Sequence, residues 1–298
     1  MKILITGGTG FIGSAFVRLA LSRGHQVAGL VIPAETISPE LAGREGLRWF
    51  RGTLSEAPWP EIDSFQADLC VHTAWITTPG VYLESPENER FRDLSLEFLN
   101  RLSDSGTRHI VGLGTCIEYQ ITDQPLVEDQ TPIAPTTTYA RCKNELRLSL
   151  EAEAKAKGLR FCWGRVFYPY GPGEHPSRLC SSTLQKLKRG EKIHLKTPGS
   201  TKDYIYIEDL AAAVLSVVES KTTGAVNLGT GIGTSVRTLA HQLAGLLGKP
   251  DLIQEANPPE LDPFPYVVAD SAKLRSSGWK PTVTIEEGLR RLVARTGI

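Results

Sequence analysis

Apolar positions along this chain follow two alternating patterns. Short continuous runs, Ile3 to Ile5 first among them, carry the β-branched residues of strands buried on both faces of a parallel sheet. Between the runs, apolar residues recur at helical spacing, as Ile12, Phe16 and Leu19 do before Gly24 supplies a stop. "HQVAGLV" then reads as the next strand. The alternation runs from residue 1 to about 166 and returns in "YIYIEDLAAAVLSVVE" and "AVNLG". It predicts an α/β protein whose doubly wound parallel sheet spans 1–166 and 203–230. The proline- and glycine-rich segment from 168 to 176, the helix-like "SSTLQKLKRG" and the tail after about 231 are left over. They predict a smaller, discontinuous lobe, 167–202 and 231–298, with a substrate cleft between the two parts.

A cluster of glycines, Gly7, Gly8, Gly10 and Gly13, joins the first strand to the first helix. Glycine lets the backbone turn sharply and lets a phosphate approach with no Cβ in the way. Free N–H groups at the helix start, around Phe11 and Ile12, then hold a pyrophosphate with help from the helix dipole. The spacing is G-x-x-G-x-x-G, not the G-x-G-x-x-G of the commoner dinucleotide fingerprint. The context of strand, glycine turn and helix is nonetheless the one such a loop requires. Gly7, Gly10, Phe11, Ile12 and Gly13 are therefore candidate cofactor contacts on a Rossmann-like sheet.

Composition narrows the class without naming an activity. The 298 residues are 41% hydrophobic and 22% charged, a soluble globular balance. Thirty-three acids offset 33 bases, which argues against nucleic acid or an anionic membrane as the main partner. No apolar stretch reaches the roughly 18 residues of a membrane span. The start, MKILITGG, lacks the apolar run of a signal peptide. Five cysteines (Cys70, Cys116, Cys142, Cys162, Cys180) follow no metal-ligand spacing. They are expected to be reduced thiols in a cytoplasmic protein, with no metal site.

The TGGTGFIG loop resembles the cofactor loop of the extended short-chain dehydrogenase/reductase family, which holds the nucleotide-sugar epimerases and dehydratases. "DLCVHTAW", "RHIVGLGT", "LRFCWGRVFYPYGPG", "KDYIYIEDLAAAV", "AVNLGTG" and "GWKPTVTIEEGL" follow in that family's order, so the resemblance spans nearly the whole chain. It implies that small residues such as Ala74 pack near the nicotinamide ribose. It also implies a catalytic role for the Y-x-x-x-K of "TTYARCKNEL", Tyr139 and Lys143, acting with Thr115 at the end of the preceding strand. The spacing agrees, because residues four apart share a helix face. Thr115 sits at the carboxyl end of a parallel strand, where open α/β sheets bind ligands. Moving a hydride to or from an alcohol carbon requires a proton to move at its oxygen. Tyrosine, with a reference pKa of about 10, is too weak a base unless a neighbouring cation favours its phenolate. Lys143 is the expected cation and, by the resemblance, a ribose contact.

Several positions depart from the family pattern. Val31 ends the second strand where NAD-preferring members carry an acid, and no arginine stands nearby for a 2′-phosphate. The stretch selects neither NAD nor NADP, with a slight lean to NADP because no carboxylate would repel the extra phosphate. Cys116 and Ile117 replace the acid pair of the 4,6-dehydratases, which argues against dehydration. Glu118 reads as a loop carboxylate or a group near the substrate. Tyr168, Lys202 and "LDPFPY" stand at the places of the family's anion-binding residues, so Lys202 would serve as a point charge and Arg178 as the bidentate contact. Trp75, Cys116, Tyr168, Arg178 and Lys202 are the candidate substrate contacts. His72 reads as a packed side chain, His175 as solvated, and Tyr119 as pocket lining or core. A homodimer is implied by the resemblance, with Leu146 and Leu150 suited either to its helix face or to the core.

The expectation is an NAD(P)-dependent epimerase or reductase acting on a sugar hydroxyl or ketone, as a nucleotide-sugar 4-epimerase or 4-ketoreductase. A reductase of a small non-nucleotide carbonyl is the alternative within the fold. A non-catalytic dinucleotide sensor is the alternative outside it, against which the intact Y-x-x-x-K argues.

Overall fold

The structure, a computed structural model, describes residues 1–220 and 222–295. Position 221 of the expected cofactor domain and positions 296–298 of the expected lobe lie outside the described residues. Along the chain come β1 (Lys2–Thr6), α1 (Phe11–Ser22), β2 (Gln26–Val31), β3 (Leu47–Arg51), α2 (Trp59–Phe65), β4 (Leu69–His72), α3 (Glu87–Asp104), β5 (His109–Thr115), α4 (Thr138–Lys157) and β6 (Arg160–Val166). There follow β7 (Tyr168–Tyr170), α5 (Leu179–Lys188), β8 (Ile193–Leu195), β9 (Thr201–Tyr206), α6 (Ile207–Ser220) and β10 (Gly224–Leu228). Last come β11 (Gly233–Ser235), α7 (Val236–Leu246), β12 (Ile253–Glu255), β13 (Tyr266–Val267), α8 (Ala272–Ser276) and α9 (Ile285–Arg295).

Seven strands form one sheet in the order β3-β2-β1-β4-β5-β6-β10, every neighbouring pair parallel. Parallel strands buried on both faces need apolar side chains at every position, and β1 supplies them. Ile3 and Ile5 point into the layer formed with α1 and α6, while Leu4 points into the layer formed with α2, α3 and α4. All three are fully buried, each contributing about 1.5–3 kcal/mol. The strand order reverses direction between β1 and β4, so the loops leaving those two strands diverge and open a crevice.

The remaining strands build a second, smaller part. Strand β9 pairs with β7 and β13 in parallel and with β11 antiparallel; β8 and β12 form a separate parallel pair. This corrects one expectation: residues 203–206 read as part of the large sheet, yet they run in the small one. The apolar run Tyr204 to Tyr206 suits either sheet, and the choice is made by Asp203. Its carboxylate accepts N–H bonds from Thr230 (2.8 Å), Gly231 (2.8 Å) and Ala269 (3.2 Å), which tie β9 to the turn after β10 and to the segment that follows β13. A buried carboxylate needs such donors.

Leu146 and Leu150, weighed as a dimer face, are both buried against the large sheet with Phe98, Leu102 and Phe161. They are spent in the core. All five cysteines are buried and free. Among the described residues no helix is long and apolar enough to cross a membrane.

Candidate active site

A cleft of about 670 Å³ opens at the carboxyl ends of β1, β4, β5 and β6 and runs to β8, β9 and α5 of the smaller part. Every candidate contact read from the sequence borders it: Gly7, Gly10, Phe11, Ile12, Gly13, Ala74, Trp75, Thr115, Cys116, Tyr139, Lys143, Tyr168, Arg178 and Lys202.

The glycine loop is shaped by close approach. Gly7 has φ +69°, and a Cβ there would lie 2.7 Å from Thr73 Oγ1 and 2.8 Å from Ala74 N. A Cβ on Gly13 would lie 2.1 Å from the Gly7 carbonyl oxygen, so α1 can begin where it does only because Gly13 is bare. Thr73 donates its hydroxyl to Thr6 O (2.7 Å) and fastens the two diverging loops together. Gly10 is the N-cap of α1 and brings no side chain to its first N–H groups. Unscreened N–H groups at a helix start, with no Cβ above them, fit the diphosphate of a dinucleotide.

Beside the glycine loop stands a group that sequence reading missed. No acid stands at the end of β2, but Glu35 folds back from the following loop and accepts the Thr9 hydroxyl at 2.5 Å. Arg51, at the end of β3, holds this loop by donating to Pro33 O (2.8 Å) and Glu35 O (3.3 Å). A carboxylate in the loop after β2 and a guanidinium at the end of β3 therefore lie close to the glycine loop.

Tyr139 and Lys143 project from the first turns of α4, which Thr137 caps by accepting from Ala140 N (3.2 Å). Both are buried. Lys143 Nζ donates to Leu113 O at 2.9 Å and lies 3.8 Å from the centroid of the Trp75 ring. Burial pushes the Lys143 ammonium down to about 7, and the negative charge of Glu118 works against that fall. Tyr139 is stacked edge-on against Tyr82, centroids 4.9 Å apart. Burial pushes its phenol up, with Tyr82 and Glu118 adding to the rise and Arg178 opposing it. Burial is the largest influence, and Tyr139 stands as a neutral phenol, not as the phenolate expected beside Lys143. Thr115 ends β5 and lines the same cleft.

Glu118 is neither a loop carboxylate nor a substrate-facing one. It is fully buried behind Thr115, accepting Thr115 N–H (2.8 Å), Trp163 Nε1–H (3.0 Å) and Arg165 Nε–H (2.8 Å). Tyr119 is core as well: its hydroxyl donates to Asn227 Oδ1 (2.8 Å) and accepts from Arg165 (2.8 Å). His72 is packed between Thr6 Oγ1 (2.8 Å) and Ser95 Oγ (3.0 Å). His175 is exposed at the cleft rim.

At the far end of the cleft Lys202 does not present a free charge. Its ammonium donates to Asp262 Oδ2 (2.9 Å) and to Phe264 O. Arg178 lies over the Tyr82 ring, 5.3 Å from its centroid, and reaches Thr77 O. Glu174, unremarked in the sequence, is buried at the cleft wall, where it accepts Ser181 N–H (2.7 Å) and is pushed up to about 7 by burial. Asp262, Tyr82 and Glu174 carried no local signal, because each acquires meaning only from partners remote in sequence.

With its Tyr–Lys pair and threonine on one cleft, the glycine cradle places the protein among the dinucleotide-dependent enzymes built on the extended short-chain dehydrogenase fold. Sequence comparison makes this specific. Residues 3–229 match the family model for the NAD dependent epimerase/dehydratase family, and the chain belongs to that family. A UDP-glucose 4-epimerase of Corynebacterium glutamicum is 27% identical over 305 residues, 95% of this chain and 92% of that protein. A dTDP-6-deoxy-L-talose 4-dehydrogenase (NAD(+)) of Aggregatibacter actinomycetemcomitans is 25% identical over 249 residues, 81% of this chain and 89% of that one. Among solved structures, the UDP-glucose 4-epimerase of Thermus thermophilus in complex with NAD aligns with a TM-score of 0.83 at 27% identity, covering 100% of both chains.

Proposed function

We propose that the protein moves a hydride between NAD and a ring carbon of a nucleotide-activated sugar, as a 4-epimerase or 4-ketoreductase, with Tyr139 as proton donor and acceptor. One observation carries the reading: a single cleft joins Gly7, Gly10 and Gly13 to Thr115, Tyr139 and Lys143. Its volume of about 670 Å³ is within the range of sites that enclose small ligands. Bound NAD supplies the hydride acceptor and donor. The α1 N–H groups and the dipole hold its diphosphate. Lys143, held to Leu113 O, offers its remaining protons to the ribose. Tyr139, a neutral phenol at rest, gives its proton to the oxygen of a ketone and recovers one from an alcohol. The Thr115 hydroxyl orients that oxygen and shares its developing charge.

Glu35 beside Thr9 favours NAD over NADP, since a carboxylate accepts ribose hydroxyls and repels a 2′-phosphate. A diphosphate on the substrate would be met by Arg178 and Lys186, both on the cleft wall. The second reading, a reductase of a small carbonyl compound without a nucleotide, is favoured by the neutralisation of Lys202 by Asp262.

The test begins with thermal shift against NAD, NADP and a panel of UDP-, GDP-, CDP- and dTDP-sugars. Turnover of the sugar that binds is then compared between the wild type and Tyr139→Phe. A loss of about 10²- to 10⁴-fold is expected for removal of a general acid–base group. Unchanged turnover removes Tyr139 from the chemistry. Cofactor retained through purification marks an epimerase; cofactor that exchanges marks a reductase.

A further inference from the structure

We infer that Glu118 is a positioning residue that fixes Thr115 from behind and favours the ammonium form of Lys143. The inference rests on the proposed roles of Thr115 and Lys143, but its geometry is independent of any substrate.

Three consecutive residues of β5 carry the argument. Lys143 Nζ donates to the carbonyl of Leu113 at 2.9 Å, and Glu118 accepts the N–H of Thr115 at 2.8 Å. Gly114 lies between them. A Cβ there would stand 2.3 Å from Glu118 Oε1 and 2.1 Å from Trp163 Nε1, so the strand is bare where the carboxylate and the indole press on it. The two groups thus grip adjacent peptide units of one strand. Moving Glu118 would move the backbone that holds both Thr115 and Lys143.

A neutral acceptor would satisfy the Thr115 N–H, so the charge needs its own explanation. Lys143 is buried, and its ammonium faces a carbonyl and the Trp75 ring, not a carboxylate. Trp163 stands between the two charges: its Nε1–H donates to Glu118, and its ring centroid is 6.0 Å from Lys143 Nζ. An indole whose N–H is bound to an anion presents a more electron-rich face to a cation. The other titratable groups around Lys143 do not supply a negative charge. His72 on β4 is held neutral by burial, Arg165 on β6 is positive and paired with Glu118, and Tyr139 on α4 is a neutral phenol. On α3, Arg92 is taken by Glu145 of α4 at the surface. Glu118 is the buried anion that supports the lysine, opposing the fall that burial imposes on its ammonium.

The experiment follows the Lys143 side chain by NMR in protein labelled with [ε-¹³C]lysine, its signal assigned from Lys143→Arg. The titration midpoint is compared in the wild type, Glu118→Gln, Glu118→Asp and the double variant Glu118→Gln/Arg165→Met, each checked for folding by circular dichroism. The wild type is expected to titrate near 7. Glu118→Gln lowers the midpoint by about one unit, a roughly tenfold fall in the ratio of ammonium to amine at fixed pH. Glu118→Asp keeps the midpoint of the wild type. Should Glu118→Gln fail to fold around the unpaired Arg165, the double variant, which leaves no buried cation there, carries the comparison and titrates low. A Lys143 midpoint unchanged in the folded glutamine variants overturns the inference, because a purely structural role moves stability and not this titration. None of these measurements needs a substrate, so failure of the sugar screen would leave the result standing.

Discussion

The indole of Trp75 lies over the ammonium of Lys143, 3.8 Å from ring centroid to Nζ. The ring is locked there: its Nε1–H donates to Asn88 Oδ1 (2.8 Å), and Asn88 Nδ2 donates to Tyr82 O (2.6 Å) and Ser85 O (2.8 Å). Trp75 is therefore a holder of the lysine as much as a wall of the cleft. A desolvated cation–π contact contributes about 2 kcal/mol, enough to matter where burial has already brought the ammonium to about 7.

Trp75→Leu removes the π face while keeping an apolar side chain. It is expected to lower the Lys143 midpoint by about one unit, since roughly 1.4 kcal/mol is one pKa unit. Activity that depends on the ammonium should then fall off at lower pH than in the wild type. A pH–rate profile checks this, and an alkaline limb that does not move would show the contact to be idle.

Gly13→Ala should uncouple the cofactor loop from α1. The new Cβ would stand 2.1 Å from Gly7 O and 2.9 Å from Gly8 Cα, so backbone must move. Overpacking of this kind costs about 1–3 kcal/mol, and the displaced N–H groups lose their aim at the diphosphate. Calorimetric titration with NAD should show at least a tenfold loss of affinity, about 1.4 kcal/mol. Gly24→Ala, at a positive φ of +76° with open space around it, is the contrast: it should cost stability and leave NAD affinity alone.

What the sequence disclosed was local, and what it concealed was remote. Tyr139 and Lys143 share a helix face by spacing alone, and the glycines of the loop announce a backbone that must turn and pack closely. Ile3 to Ile5 declared a strand buried on both sides. By contrast, β9 was legible as a strand but its sheet was not, because Asp203 finds its donors at Thr230, Gly231 and Ala269. Lys202 read as a free cation because Asp262 stands in a loop with no pattern of its own. Glu118 and Arg165 each looked ordinary until β5 and β6 were laid side by side.

Glu35→Ala tests the preference between dinucleotides. Its carboxylate sits on Thr9 of the glycine loop, and Arg51 is occupied by the Pro33 and Glu35 carbonyls of the loop after β2. Removing the carboxylate removes both an acceptor for ribose hydroxyls and a charge that repels a 2′-phosphate, while Arg51 remains. NAD affinity is expected to fall and NADP affinity to rise, changing their ratio by roughly tenfold or more, the scale of one charge-assisted hydrogen bond. Parallel titrations with both cofactors decide it. An unchanged ratio would mean that Glu35 points away from the ligand.

Acid should weaken the fold through His109. It is 1% exposed at the start of β5, and neither ring nitrogen has a hydrogen-bond partner. Burial, with the charge of Arg160 nearby, pushes it down to about 4. The folded state therefore keeps the imidazole neutral while the unfolded chain takes up a proton below about 6.5. Stability from this group is complete above that pH and is lost as pH falls toward 4, amounting to about 2 kcal/mol at pH 5. His109→Phe should remove that slope and also relieve two unpaired buried nitrogens. Urea unfolding at pH 7.5 and pH 5 measures both effects: the variant should lose less stability between the two conditions than the wild type. Equal losses would mean that the acid sensitivity lies elsewhere, His72 being the next group to test because burial and Lys143 hold it down to about 3.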